Sequence, residues 1–242
     1  MSLMRSISNL SLGMVKAVIF WPKFSVTSFK MISDLVRQGV LPKTVIDVGA
    51  NVGQFAVASS KLFPNVSVHS FEPNPNCVAL LRKHVGSLGN VMVHPIALGD
   101  IEGEAAFHVN SHSHSSSILP LTSNHLEAFP DAREVSAIQV KVSTLDKVFS
   151  GIKLTAPVLL KLDVQGYEAQ ALRGAVNILK RVDYVVLEAS FKPMYEGEML
   201  FMEVAQLMGE YGFDFLRPVG WLNDPNTSEI IQMDALFQRR IQ

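Results

Sequence analysis

The chain has 242 residues, is 48% hydrophobic and carries 21 basic against 22 acidic residues. That length and composition exclude a disordered chain and allow one full core. The near-zero balance supplies no overall pull toward nucleic acid, so no nucleic-acid partner is expected, and the lone Cys77 excludes an internal disulfide framework or a cysteine zinc cluster and fits a cytoplasmic protein.

Residues 1–40 read as a helical extension and 41–242 as one domain. The apolar run Leu10–Trp21 is broken by Lys16 and followed by Pro22, too short for a spanning helix and too interrupted for a signal peptide. It reads as an amphipathic helix packed on the domain. The other reading is peripheral membrane contact through residues 10–24, with Phe20, Trp21 and Phe24 as anchors.

From residue 44 onward, short apolar runs alternate with helical periods. Strands are expected at Thr44–Val48, Ser67–Phe71, Val91–His94, Pro157–Leu162 and Tyr184–Leu187. Helices are expected at Gln54–Leu62, at Pro75 to about Val85, from beyond Leu162 through Leu179, and around Leu200–Met208. Asn74-Pro75 and Ser143-Thr144 look like helix starts. Phe213–Leu216 and Ala235–Gln238 are short enough for edge strands. This alternation predicts an α/β fold, a mostly parallel seven-stranded sheet with helices on both faces. Ala105, Phe107 and Val109, and then Ile138, Val140 and Val142, alternate as a small antiparallel insertion after the third strand. Between them, the serine-rich stretch Asn110–Ser117 carries His112 and His114 and reads as a solvated loop near the ligand-binding edge.

Asp47-Val48-Gly49-Ala50-Asn51-Val52-Gly53 lies between the first strand and the first helix. Its glycines allow a tight turn and close approach to a ligand, and the helix start offers free amides to an anion. The spacing is not the G-x-G-x-x-G of dinucleotide enzymes. Asp47 suits an amino group and the helix start a carboxylate, and S-adenosylmethionine (SAM) carries both. Glu72, in Phe71-Glu72-Pro73, ends the second strand, where an acid bonds ribose hydroxyls.

Together with Ala97-Leu98-Gly99-Asp100, Thr144-Leu145-Asp146, Leu160-Lys161-Leu162-Asp163-Val164-Gln165-Gly166-Tyr167-Glu168 and Leu187-Glu188, these stretches resemble the FkbM-type SAM-dependent methyltransferases. The resemblance runs from about residue 44 to 238. It implies a Rossmann-like class I methyltransferase fold and transfer to a hydroxyl of a sugar, polysaccharide or natural product. Such a site draws on Asp47, Gly49, Ala50, Asn51, Gly53, Glu72, Pro73 and Asp163, with adenine against the backbone of Ala97 and Leu98. An oxygen acceptor must lose its proton, and the candidates for that work are Asp163, Glu188 and His114. Gln165, Tyr167 and Glu168 are placed to line the pocket, Glu168 equally as a helix-start acid. Tyr195 and Trp221 read as edge packing ahead of acceptor stacking. No metal spacing stands out. A nicotinamide oxidoreductase and a non-catalytic nucleotide-binding protein are the competing readings.

Overall fold

The computed structural model describes residues 12–240. Seven strands form the main sheet: β1 (Thr44–Val48), β2 (Ser67–Phe71), β3 (Val91–His94), β7 (Val158–Leu162), β8 (Tyr184–Ser190), β9 (Phe213–Asn223) and β10 (Ile230–Arg239). Their order is β3-β2-β1-β7-β8-β10-β9, and only β10 runs against its neighbours. The order reverses beside β1, so a crevice opens at the carboxyl ends of β1 and β7, where such sheets bind ligands.

The central strands are apolar on both faces because both faces are covered. Ile46, Val48, Leu160 and Leu162 point into one core with Leu172, Ile178 and Met208. Val45 and Leu159 point into the other, with Phe55, Leu81, Ile32 and Leu35. The first layer of helices is α6 (Leu145–Val148), α7 (Glu168–Arg173), α8 (Val176–Leu179) and α9 (Phe201–Glu210). The second is α2 (Val26–Arg37), α3 (Gln54–Leu62) and α4 (Pro75–Val85).

Two helix starts follow the expected capping chemistry. Asn74 accepts the Asn76 amide at 3.0 Å through its side-chain oxygen, and Thr144 accepts that of Lys147 at 3.1 Å.

α2 is tied into the second core. Ile32 and Leu35 are fully buried. Leu35→Ala is expected to cost about 2–5 kcal/mol, the usual loss for a buried leucine. Chemical denaturation reads this directly, and a loss under about 1 kcal/mol would mean that α2 packs only loosely.

α1 (Leu12–Phe20) buries Met14 and Ala17 against Phe29 and leaves Ile19 66% and Phe20 75% exposed. Trp21 and Phe24 turn inward, with ring centres 5.6 and 6.0 Å from Phe29. Of the three expected membrane anchors, only Phe20 therefore faces out. The rest of the stretch, residues 10 and 11, lies outside the described residues, as does the start of the expected extension.

Three elements differ from the sequence expectation. The helix expected through Leu179 is two short ones. Gly174 interrupts it, packed so closely on the Gly99 carbonyl that a Cβ would sit 1.9 Å from the oxygen. The Asp146 carboxylate then caps α8, accepting the amides of Asn177 at 2.9 Å and Ile178 at 2.7 Å. The expected short edge strands form a long hairpin, Phe213–Asn223 against Ile230–Arg239, and β10 is internal, paired with both β8 and β9. The antiparallel insertion is present, β5 (Gly103–Asn110) against β6 (Glu134–Ser143), with Phe107 opposite Ile138 and the short helix α5 (Ser123–Ala128) in the connection. It gains a third strand, β4 (Ala97–Leu98), parallel to β6.

Candidate active site

A cavity of about 550 Å³ opens at the carboxyl edge of the sheet, a size that takes a drug-sized ligand. One end is a narrow slot. Its floor is the turn after β1, where Gly49 sits at φ +80° with its Cα against the backbone of Asp163. A Cβ there would lie 1.8 Å from the Asp163 carbonyl oxygen, so only glycine fits. Ala50, Asn51, Pro73, Ala97 and Leu98 line the slot, as the sequence leads one to expect.

Glu72 stands at its wall, at the end of β2. Its Oε2 accepts the Asn51 amide at 2.9 Å and its Oε1 the Asn74 amide at 2.8 Å. Each oxygen keeps a lone pair for a further donor, the arrangement that a vicinal diol needs. Burial pushes the Glu72 carboxyl up to about 7, against the pull of those two amides.

Two expected contacts fall elsewhere. Asp47 is wholly buried beneath the loop and does not line the cavity. Its Oδ1 lies 3.6 Å from Lys161 Nζ and has no hydrogen-bond partner, and its Oδ2 accepts from Ser70 at 3.4 Å. Asp47 thus faces Lys161 beneath the loop. Gly53, at φ +95°, also misses the cavity. A Cβ on it would lie 2.7 Å from the Leu81 side chain, so its glycine serves helix packing.

The other end of the cavity is acidic. Lys161, a lysine inside an apolar strand, is buried and pairs with Asp163 at 3.0 Å. That ion pair holds the Asp163 carboxyl below its ordinary value even though burial opposes it. An ionised, paired Asp163 is a poor proton acceptor. Glu188 behaves oppositely. Burial, helped by Asp163, Asp234 and Glu168, raises it well above the usual carboxylate range.

Gln165 joins the two acids. It sits at φ +58°, and its Nε2 donates to Asp163 Oδ1 at 2.7 Å and to Glu188 Oε2 at 2.8 Å. Its Oε1 accepts from the Tyr195 hydroxyl at 2.6 Å. Gln232 Nε2 also donates to Glu188 Oε2, at 3.1 Å. Tyr195 is fully buried, as its packing role requires, and braces this bridge. Tyr167 lines the cavity, whereas Glu168 is buried at the start of α7 and accepts the Val164 amide at 2.8 Å.

The Asn110–Ser117 stretch is solvated in its middle, with Ser111, His112 and His114 exposed, and packed at its ends. Asn110, Ser116 and Ser117 are buried, and Ser117 donates to the Gln165 carbonyl at 2.7 Å. Its short 3₁₀ turn, Ser113–Ser115, lies over the glycine loop. His114 reaches the cavity wall with its ring nitrogens 3.4 Å from Asn51 Nδ2 and from Gln54 Nε2. It stands beside the slot, bound to the glycine-loop side, while His112 does not line the cavity.

The sequence reading missed, as cavity residues, Lys161, Cys77, Gln232 and Asp234 and, ahead of the first strand, Lys23, Phe24, Ser25, Thr27, Ser28 and Met31. Lys161 alone carried a signal, a charge in the middle of a strand that is otherwise Val, Leu and Leu.

A family model described as the methyltransferase FkbM domain matches residues 47–215. The chain belongs to the FkbM methyltransferase family. This FkbM-type chain is 26% identical over 173 residues to the 2-O-methyltransferase NoeI of Sinorhizobium fredii, covering 69% of this chain and 71% of that protein. It is 28% identical to the 31-O-demethyl-FK506 methyltransferase FkbM of Streptomyces tacrolimicus, covering 70% of this chain and 72% of that one. It is 26% identical to the hexuronic acid methyltransferase AglP of Haloferax volcanii, over 59% of this chain and only 54% of that protein. Among solved structures, the magnesium protoporphyrin IX methyltransferase of Synechocystis, determined with bound SAM, superposes with a TM-score of 0.51 at 14% identity, over 88% of this chain and 78% of that one. The likeness at that identity is one of fold. The enzyme is a methyltransferase with a Rossmann-like sheet, and the nicotinamide reading falls away.

Proposed function

We propose that the slot binds SAM and that the acidic end presents a hydroxyl oxygen of a sugar or natural product to its methyl group. The observation that carries this reading is Glu72, held by two backbone amides at one end of a cavity whose other end holds Glu188. The residues fit the donor. Glu72 would take the ribose hydroxyls, and Ala97, Leu98 and Phe107 offer an apolar wall for the purine. Asp163 and the turn at Gly49 would hold the amino-acid end. The relatives named for 2-O, 31-O and hexuronic acid methylation support an oxygen acceptor.

Bound there, the donor supplies a methyl group already activated on a sulfonium. The chain has two tasks left, alignment and proton removal. Glu188 does the second. Both glutamine amides grip its Oε2, and no described residue donates a hydrogen bond to Oε1. That oxygen is free to take the acceptor's proton as the new C–O bond forms. Lys161 keeps Asp163 ionised, so the two acids have separate duties.

The deciding experiment is calorimetric titration with S-adenosylhomocysteine (SAH), with NADH as control. Stoichiometric SAH binding without NADH binding is expected, and no SAH binding would sink the reading. The pH dependence is a sharper form of the same test. A diol needs the Glu72 carboxylate, which carries a proton below about 7 in the free protein. SAH affinity should therefore be level above that pH and fall by up to about tenfold per unit below it. Glu72→Gln should bind more weakly and flatten the profile. A wild-type profile without this limb would take Glu72 out of the donor site.

A further inference from the structure

α1 is apolar on its outer side as well as its inner one. The inner side buries Met14 and Ala17 against Phe29. Val15 and Ile19, four residues apart, turn to solvent with Lys16 and Phe20, and Val18 flanks them, 52% exposed. A helix on the surface of a soluble domain ordinarily carries polar residues on its outer face. Here a contiguous apolar strip lies in water, which marks a surface for docking.

Charge indicates what covers it. Arg5, Lys16, Lys23 and Lys30 precede Asp34 and no acid does, although the whole chain carries 21 basic against 22 acidic residues. Lys16 and Lys30 are exposed and Lys23 is half-buried, and none of the three has an ion pair among the described residues. A second copy docked through the same face would bring the basic residues of both copies together with no acid in the patch to meet them. An anionic bilayer surface meets both features. Its acyl boundary takes the apolar side chains and its headgroups take the ammonium groups, Lys16 reaching them along its own alkyl stem. No described helix is long and apolar enough to cross a membrane, so the contact is one of lying on the surface.

We propose that α1 seats the protein on an anionic lipid surface, with Val15, Val18, Ile19 and Phe20 entering the interface and Lys16, Lys23 and Lys30 meeting the headgroups. The chain runs from α1 through Trp21 directly to Lys23 and Phe24, which line the cavity, so the docked helix adjoins the site. The inference is independent of the donor and acceptor assignments above.

The test floats the full chain with vesicles of equal parts phosphatidylcholine and phosphatidylglycerol, and with vesicles of phosphatidylcholine alone. Binding to the anionic vesicles is expected, at least about tenfold stronger than to the neutral ones and weakened by salt. Ile19→Ser with Phe20→Ser should lower it by at least about tenfold, and Lys16→Glu should lower it on the anionic vesicles. All three side chains are exposed, so both variants should melt with the wild type, which separates lost docking from lost folding. Absence of binding to the anionic vesicles, equal binding to the neutral ones, or undiminished binding in the double variant would each overturn the proposal. So would a dimer in sedimentation velocity that the double variant abolishes, because the face would then belong to a second copy.

Discussion

Gly49→Ala is expected to abolish SAH binding, weakening it by at least about a hundredfold, or about 2.7 kcal/mol. Two costs combine. The position has φ +80°, where an alanine is disfavoured by about 1–2 kcal/mol. Its Cβ would also overlap the Asp163 carbonyl at 1.8 Å, and that atom is backbone and cannot rotate away. The end of β7 must move, carrying Asp163 and Gln165 with it. Gly39→Ala is the control. It shares φ +80° but has nothing within 4 Å, so it bears the backbone cost alone. Calorimetry should find Gly39→Ala with wild-type SAH affinity and a small stability loss. If Gly49→Ala binds SAH within threefold of wild type, the turn does not shape the slot.

Glu188→Gln is expected to lower kcat by about 10²–10⁴-fold, the range for losing a general base, and to leave SAH affinity within about twofold. The pH profile carries the distinguishing sign. Because burial and neighbouring acids raise the Glu188 carboxyl, it is protonated and inactive at low pH. The wild-type rate should climb with pH on a limb above the ordinary glutamate range. In Glu188→Gln that limb should vanish and the residual rate should be flat. Stability supplies a second check. A carboxyl raised on folding opposes the fold once pH exceeds its unfolded value, so the variant should not melt lower than wild type at pH 8. Wild-type turnover in Glu188→Gln would pass the base role to another group, and His114 would be the next to test.

Much of the fold was legible because its central strands are buried on both faces. Thr44–Val48 and Ser67–Phe71 are short runs of mostly apolar or small residues, interrupted by Asp47 and His69, with turn residues after them, and the strands match those limits. The hairpin was harder to read. Asp214, Arg217 and the exposed Leu216 and Trp221 mask the edge strand β9, so its length of 11 residues has no periodic signature. The break at Gly174 depends on the Gly99 carbonyl, 75 positions away in sequence, which no local pattern encodes. The site divides along the same line. Glu72, Gly49, Ala97 and Leu98 follow from strand ends, which sequence order locates. Asp47 looked like a ligand contact because it precedes the glycine, but whether a strand-end acid points up or down is a matter of pleat. Asp234 and Gln232 enter only because β10 runs antiparallel beside β8 and lays them next to Glu188.

The bridge at Gln165 also determines how a turnover must end. Its amide is oriented by the Tyr195 hydroxyl, so both faces of Glu188 Oε2 that look inward meet N–H groups, from Gln165 and Gln232. Such groups can hold a carboxylate but cannot receive a proton from it. On the proposed base role, a proton on Oε1 therefore finds no acceptor on the Oε2 side, and the enzyme is expected to be reset for its next cycle only from the open side of the cavity.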